Sequence, residues 1–444
     1  MKIRLNSRFR PYELPAVALL LVIVAALLAT YALRTAPYQS PDEPAHVNVI
    51  AQIAASGCCP VITSGDWDQA YLGVLTSSRF APENLADIDA VQYEDHQPPL
   101  YYLLLSPAYA LSNGSLIALR LASALIGLGV IAMSYAALRA LAGPDRWFIA
   151  WTGAAVIALV PQHLAILASV NNDGLAELIV ALGVLLALRV VRGDAVPAWA
   201  LGIVMGIGFL TKANTFLLGG VLPLALLIRA LQGRETRPFW PTLARYAVLF
   251  AVPALALGAL WWLRNFGVYG FPDALGLRAH DAVVVGQPRT REIIASWGAG
   301  QTLVSAVQTT FNSFWGQLGW MAFPLPAWCY GVILGLHGAA GLGWLLRPRR
   351  ASLSPEARFG AVILGAVATI AFAQFLYYNI EFYQVQGRYL FPLMLPLGAW
   401  FAFGLDGLGR MIRRAPWLPS LAGIGVLLAL NAFVVWRVLP LTWP

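Results

Sequence analysis

The chain has 444 residues, 59% of them hydrophobic and 11% charged, whereas a soluble domain carries about 25% charged residues. This composition excludes an ordinary soluble enzyme and points to a polytopic membrane protein. The formal net charge of +8 does not imply nucleic acid, because the Lys and Arg residues lie in short groups between apolar runs with no basic cluster interleaved with aromatics.

Lys2, Arg4, Arg8 and Arg10 precede an apolar run from Leu14 to Leu33, which is long enough to cross a bilayer. With many further apolar runs behind it, this reads as a retained first helix rather than a signal peptide. Membrane-length runs follow at 116–140, 147–168, 173–191, 197–211, 214–231, 243–263, 327–346, 358–378, 389–409 and 418–437, so about eleven spans are expected, the first covering 14–34. The 197–211 run is the shortest and is thinned by Gly202, Gly206 and Gly208. The expected fold is an all-α transmembrane bundle forming one domain over 1–444, without a separate soluble domain. Placing the N-terminus in the cytoplasm puts most of the 29 Lys and Arg residues on the inner side, among them Arg347, Arg349, Arg350, Arg410, Arg413 and Arg414. Two outer segments, 35–115 and 264–325, are too long to be mere connectors and hold polar chemistry that the spans lack. The cysteines Cys58, Cys59 and Cys329 have no zinc spacing. Ordinary thiols are expected, with a vicinal Cys58–Cys59 disulfide as the alternative.

The first long loop opens with Tyr38-Gln39-Ser40-Pro41-Asp42-Glu43-Pro44-Ala45-His46. Ser40 followed three residues later by Glu43 is a capping-box pattern, and Pro41 suits a first helical turn. An amphipathic surface helix is therefore expected over 41–56, with Val49, Ile50 and Ile53 on its apolar side and Asp42 and His46 sharing a face. Farther on, Glu94-Asp95-His96-Gln97-Pro98-Pro99-Leu100-Tyr101-Tyr102 leads into a short apolar helix at 99–111, with its carboxylates and His96 at the interface. Asn171-Asn172-Asp173, Thr211-Lys212, Arg264-Asn265 and Gln384-Val385-Gln386-Gly387-Arg388-Tyr389 each adjoin the outer end of a span. They should meet the first loop at one depth, and this convergence indicates a single site.

The order of these motifs resembles the GT-C superfamily of integral-membrane glycosyltransferases. The resemblance is carried by the acidic pair after the first span, His96-Gln97-Pro98-Pro99-Leu100-Tyr101-Tyr102, Leu210-Thr211-Lys212 and Arg388-Tyr389-Leu390-Phe391-Pro392. It is nearest the protein O-mannosyltransferase and aminoarabinose-transferase-like group and related bacterial membrane proteins of unassigned function. Trp261-Trp262-Leu263-Arg264-Asn265 and the run Ser313 to Trp320 look more like the unassigned branch.

The resemblance implies a sugar donor on a polyprenyl phosphate, a bilayer setting, and a glycan, lipid or protein acceptor on the outer face of a plasma membrane. It also implies that Asp42 or Glu43 acts at the acceptor, with Asp173 as the second acidic residue. The position before Pro98-Pro99, often Lys in the aminoarabinose branch and there a candidate phosphate contact, is Gln97 here, so that role passes to other cations or is absent.

Displacement at an anomeric carbon needs a carboxylate at the acceptor hydroxyl and cations at the departing phosphate. Asp42 is the expected base, supported by Glu43 and Asp173. His46, Asp95, His96, Lys212, Arg264, Arg388 and Tyr389 are expected to bind substrate. The plain alternatives are capping for Asp42, Glu43 and Asp173, and interfacial anchoring for Lys212, Arg264 and Arg388. Asp42, Glu43, Asp95, His96 and Asp173 could instead hold a divalent cation, Mg, Mn or Ca. The rival function is a transporter or lipid-linked glycan flippase, against which stand the gathering of polar residues at one face and the lack of an internal repeat.

Overall fold

A computed structural model describes residues 12–346, 355–412 and 414–444. Of the basic residues used above for orientation, Lys2, Arg4, Arg8, Arg10, Arg347, Arg349, Arg350 and Arg413 lie outside the described residues. Helices dominate, and the one named sheet among the described residues is the two-stranded antiparallel pair Gln317–Leu318 and Phe323–Pro324.

Among the described residues, nine helices are long and apolar enough to cross a membrane: Glu13–Arg34, Leu116–Ala142, Asp173–Val191, Ala213–Gln232, Phe239–Tyr269, Ala327–Leu345, Ala357–Glu381, Gly387–Gly409 and Leu418–Thr442. Two of the eleven expected spans differ. The run at 147–168 is a bent pair, Pro144–Ala158 and Pro161–Leu167, with 72° between its arms. Pro161 starts the second arm and leaves residue 157 without its helical donor, and His163 Nδ1 lies 2.9 Å from the Ile157 carbonyl instead. The run at 197–211 is a 12-residue helix, Ala198–Phe209, roughly 18 Å long at 1.5 Å per residue and too short to cross alone. Gly202 and Gly206 serve close packing against Phe239–Tyr269. A Cβ on Gly202 would lie 2.2 Å from the Phe250 carbonyl oxygen, and one on Gly206 would lie 2.6 Å from Leu257 Cβ. Gly343, Gly404 and Gly407 similarly let Ala327–Leu345 meet Met394–Gly409 backbone to backbone.

Both long loops emerge at the same end of the bundle, and the C-terminus returns there: Trp443 Nε1 donates to the Arg34 carbonyl and Arg79 donates to the Trp443 carbonyl. The first loop forms helix Glu43–Ser56, whose Val49, Ile50 and Ile53 are buried, and the expected short helix, Leu100–Leu111, against which it packs. Leu103, Leu104 and Leu111 of the latter are exposed, while Tyr101, Tyr102 and Leu105 turn inward. The second loop folds as helices Leu277–Val283, Thr290–Trp297 and Ala299–Trp315. The loops clasp each other through Trp67 Nε1 to the Val285 carbonyl and the Ile62 N–H to Tyr269 Oη. Between them lies a small apolar core of Ala45, Ile62, Leu75, Phe80, Val91, Tyr93 and Val284, distinct from the main bundle core. Cys58 and Cys59 form a vicinal disulfide, the alternative rather than the expected thiols, and Cys329 is free and buried.

Candidate active site

The capping box expected at Ser40 and Glu43 is not formed. The helix starts at Glu43, and Asp42 takes the N-cap position in the left-handed region (φ 65°) without a side-chain cap bond. Glu43 is pulled away because a buried guanidinium competes for it: Arg120 Nε and Nη2 donate to its two oxygens at 2.8 and 2.6 Å, and the Val170 N–H adds a third bond. In a medium of low dielectric, a forked charge-assisted pair outweighs one bond to a backbone N–H. Arg120 uses its remaining N–H groups on the carbonyls of Ala32, Thr35 and Ala36. Glu43 is fully buried in this clamp, which ties the first loop to the end of the first span.

Freed from capping, Asp42 turns into a cavity of about 930 Å³ at the loop end of the bundle. Asp42 Oδ1 accepts from Tyr93 Oη at 2.8 Å, and Oδ2 accepts from Arg388 Nη2. Burial pushes this carboxyl up, but the Arg388 charge and hydrogen bond outweigh it and hold Asp42 down at about 2. The cavity is also lined by His46, Glu94, His96, Lys212, Arg388 and Tyr389, so most of the expected residues do converge. Arg388 is brought in by the turn Gly387–Leu393. That turn sits close on Ala299–Trp315, because a Cβ on Gly387 would lie 2.2 Å from the Phe314 nitrogen.

A second cation–carboxylate pair adjoins the first. Lys212 Nζ lies 2.5 Å from Asp173 Oδ1, where the break between Ala198–Phe209 and the turn Ala213–Leu217 carries Lys212 to the start of Asp173–Val191. Asn171 Oδ1 receives the Asp173 N–H at 2.9 Å, so Asn171 rather than Asp173 satisfies that helix start. His46 Nδ1 lies 2.9 Å from Tyr102 Oη, and burial followed by the Lys212 charge lowers its pKa to about 3, which keeps the ring neutral. His96 is also held neutral, by burial and by His280, whose ring centroid lies 4.3 Å away.

Three expected site residues fall elsewhere. Glu43 is in the Arg120 clamp. Asp95 points away from the cavity and accepts two bonds from Gln52 at 3.0 and 2.9 Å, and burial raises it to about 7. Arg264 donates to the carbonyls of Cys59 and Pro60 and to Asn265, lying over the Trp261 and Tyr269 rings as a tie between the loops. The turn that sends Asp95 outward sends its neighbour Glu94 inward. Glu94 lines the cavity, its Oε2 is buried and has no partner among the described residues, and burial followed by the Asp42 charge raises it to about 8. Glu94 was visible in the sequence as part of the acidic run before Pro98-Pro99, but which member of that run faces inward is set by the turn. Tyr93 and His280 stand in none of the sequence motifs, and each owes its place to a contact with a residue distant in the chain, Tyr93 with Asp42 and His280 with His96.

Among the described residues no three His, Cys, Asp or Glu side chains come together to hold a metal ion. Of the five candidate ligands, Asp42, Glu43 and Asp173 are each taken by a cationic side chain, and Asp95 is taken by Gln52. No step below passes through a metal ion.

Comparison with solved structures gives the fold. The chain is similar to ArnT from Cupriavidus metallidurans in the apo state, with a TM-score of 0.52 and 20% identity over 94% of this chain and 64% of that one. It is also similar to ArnT from the same organism bound to undecaprenyl phosphate, with a TM-score of 0.50, 19% identity and the same coverage. The chain thus spans about 64% of the length of these relatives. At these identities the likeness shows the fold, which is of GT-C type as the motif order implied. No curated protein matches the sequence. The family described as predicted membrane protein (DUF2142) matches residues 75–397, most of the chain, and the protein belongs to that family.

Proposed function

We propose that this protein is a membrane glycosyltransferase that moves a sugar from a polyprenyl-phosphate donor to an acceptor hydroxyl at the outer face of the membrane. The N-terminus is taken as cytoplasmic and the loop end as external. The observation that carries the reading is the pairing, in and beside one cavity at the bundle end, of two cations held by carboxylates: Arg388 on Asp42 and Lys212 on Asp173. A lipid-borne phosphate presents its headgroup at that depth while its chain stays among the spans. Arg388 Nε is buried without a partner among the described residues, so this guanidinium retains a donor for a phosphate oxygen. ArnT, of like fold, has been captured with undecaprenyl phosphate, which supports the donor class.

In this reading the acceptor oxygen bonds to the anomeric carbon as the bond from that carbon to the phosphate oxygen breaks. The phosphate leaves with the bonding pair, and Arg388 and Lys212 meet the charge that develops on it. Asp173 keeps Lys212 in place. Asp42 orients the acceptor and Arg388 together. A carboxylate held near pKa 2 is a poor proton acceptor, so its environment suits it to orientation rather than to the base role expected from the sequence.

The test is incubation of the purified protein with a panel of undecaprenyl-phosphate sugars, with mass spectrometry of lipid bound and consumed. Consumption of at least one donor, lost in Asp42→Asn, is expected. If no panel member is bound or consumed, the reading fails. If Asp42→Asn transfers at the parent rate, the role given to Asp42 fails.

A further inference from the structure

Four carboxylates line the cavity, and three are already engaged. Asp42 has Tyr93 and Arg388 on its two oxygens, Glu381 is paired with Arg289, and Asp281 lies 3.1 Å from His280 Nδ1. The imidazoles are engaged too: His46 Nδ1 is at Tyr102, and His96 Nδ1 is 3.2 Å from the Tyr93 carbonyl. Asp173, beside the cavity, is bound to Lys212. Glu94 is the exception: the Gln97 side chain bonds its carboxyl, but its buried Oε2 has no partner among the described residues. Its backbone is fixed where this matters. Tyr93, the preceding residue, is bonded through its hydroxyl to Asp42, and the Gln97 N–H donates to the Glu94 carbonyl at 2.9 Å. Glu94 and Asp42 therefore flank the same space.

Resting on the glycosyltransferase reading, we propose that Glu94 is the catalytic base. It takes the proton of the acceptor hydroxyl as that oxygen bonds to the anomeric carbon and the phosphate departs with its electron pair. A base serves best when its proton affinity lies near the working pH. Burial and the facing Asp42 charge put Glu94 at about 8, with Lys212 and Arg388 as the opposing cations and the neutral His96 beside it. Asp42 and Glu94 thus divide the work: one stays ionised and orients, and the other exchanges a proton.

The test uses the full-length protein in detergent and whichever undecaprenyl-phosphate sugar the parent consumes. Transfer at saturating donor should rise with pH and level off above about 8, because the base must first lose its proton. Glu94→Gln should lower kcat by about 100-fold or more and abolish that pH limb, leaving the KM for donor unchanged. Glu94→Asp should keep an attenuated rate with the limb retained. Infrared difference spectra of parent minus Glu94→Gln should show a protonated carboxyl that titrates near the same pH, a readout independent of turnover. A Glu94→Gln rate within about tenfold of the parent, or a preserved pH limb, overturns the assignment while leaving the glycosyltransferase reading intact. A parent protein that consumes no donor overturns both.

Discussion

Replacing Arg120 with Met is the sharpest test of how the first loop is held. All five N–H groups of Arg120 are used, two bonds going to Glu43 and three to the carbonyls of Ala32, Thr35 and Ala36 at the end of the first span. Both partners of the ion pair are buried, at 2% and 0% exposure. Methionine keeps much of the volume but strands the Glu43 carboxylate with only the Val170 N–H, and it leaves three carbonyls short of a donor. Breaking a buried pair from one side costs about 3–5 kcal/mol, far above the roughly 0–1 kcal/mol of an exposed pair. Arg120→Met should therefore lose at least about 3 kcal/mol in SDS-induced unfolding. Pairing it with Glu43→Leu should recover much of that loss, because the stranded charge is gone. Arg120→Lys should fall between, since an ammonium cannot fork across the same acceptors. If Arg120→Met unfolds within about 1 kcal/mol of the parent, the clamp is not a buried ion pair and Glu43 returns to the list of candidate catalytic groups.

Further outcomes follow from the same geometry. Arg388→Ala and Lys212→Ala should each weaken binding of undecaprenyl phosphate by about tenfold or more, since hydrogen bonds to charged groups contribute about 1.5–3 kcal/mol; microscale thermophoresis reads this directly. Asp95→Asn should leave transfer unchanged, because Asp95 points away from the cavity. Its raised pKa, about 7, means that the folded state holds a proton the unfolded chain has lost. The parent should thus lose stability as pH rises from 5 to 7, and Asp95→Asn should flatten that slope in thermal unfolding. Gly343→Val should destabilise by about 1–3 kcal/mol or more, because a Cβ there would sit 1.7 Å from the Gly404 carbonyl oxygen. Gly335→Ala, with nothing within 4 Å, should be near neutral in the same assay.

The all-α membrane class, the positions of the long spans, the two long loops and the polar motifs that meet at one end were all legible in the chain's residues. Those properties follow from local chemistry: twenty apolar residues must bury their backbone bonds in a helix, and polar residues must end it. Local rules also placed the start of the first-loop helix to within a few residues, because Pro, Gly and acidic residues bias backbone dihedrals wherever they stand. They failed where a distant partner decides. Ser40 and Glu43 read as a capping box, but Arg120, 77 positions away, takes the carboxylate. Glu94, Asp95 and Arg264 could not be sorted into facing and averted groups, because a loop's side-chain directions are set by the turns and by what packs over them. Tertiary contacts alone give Asp42 to Arg388 and Asp173 to Lys212, and leave the buried Oε2 of Glu94 without a partner among the described residues. In a buried site an ion's free energy depends on which charge lies within a few ångströms, and that distance is a property of the folded chain.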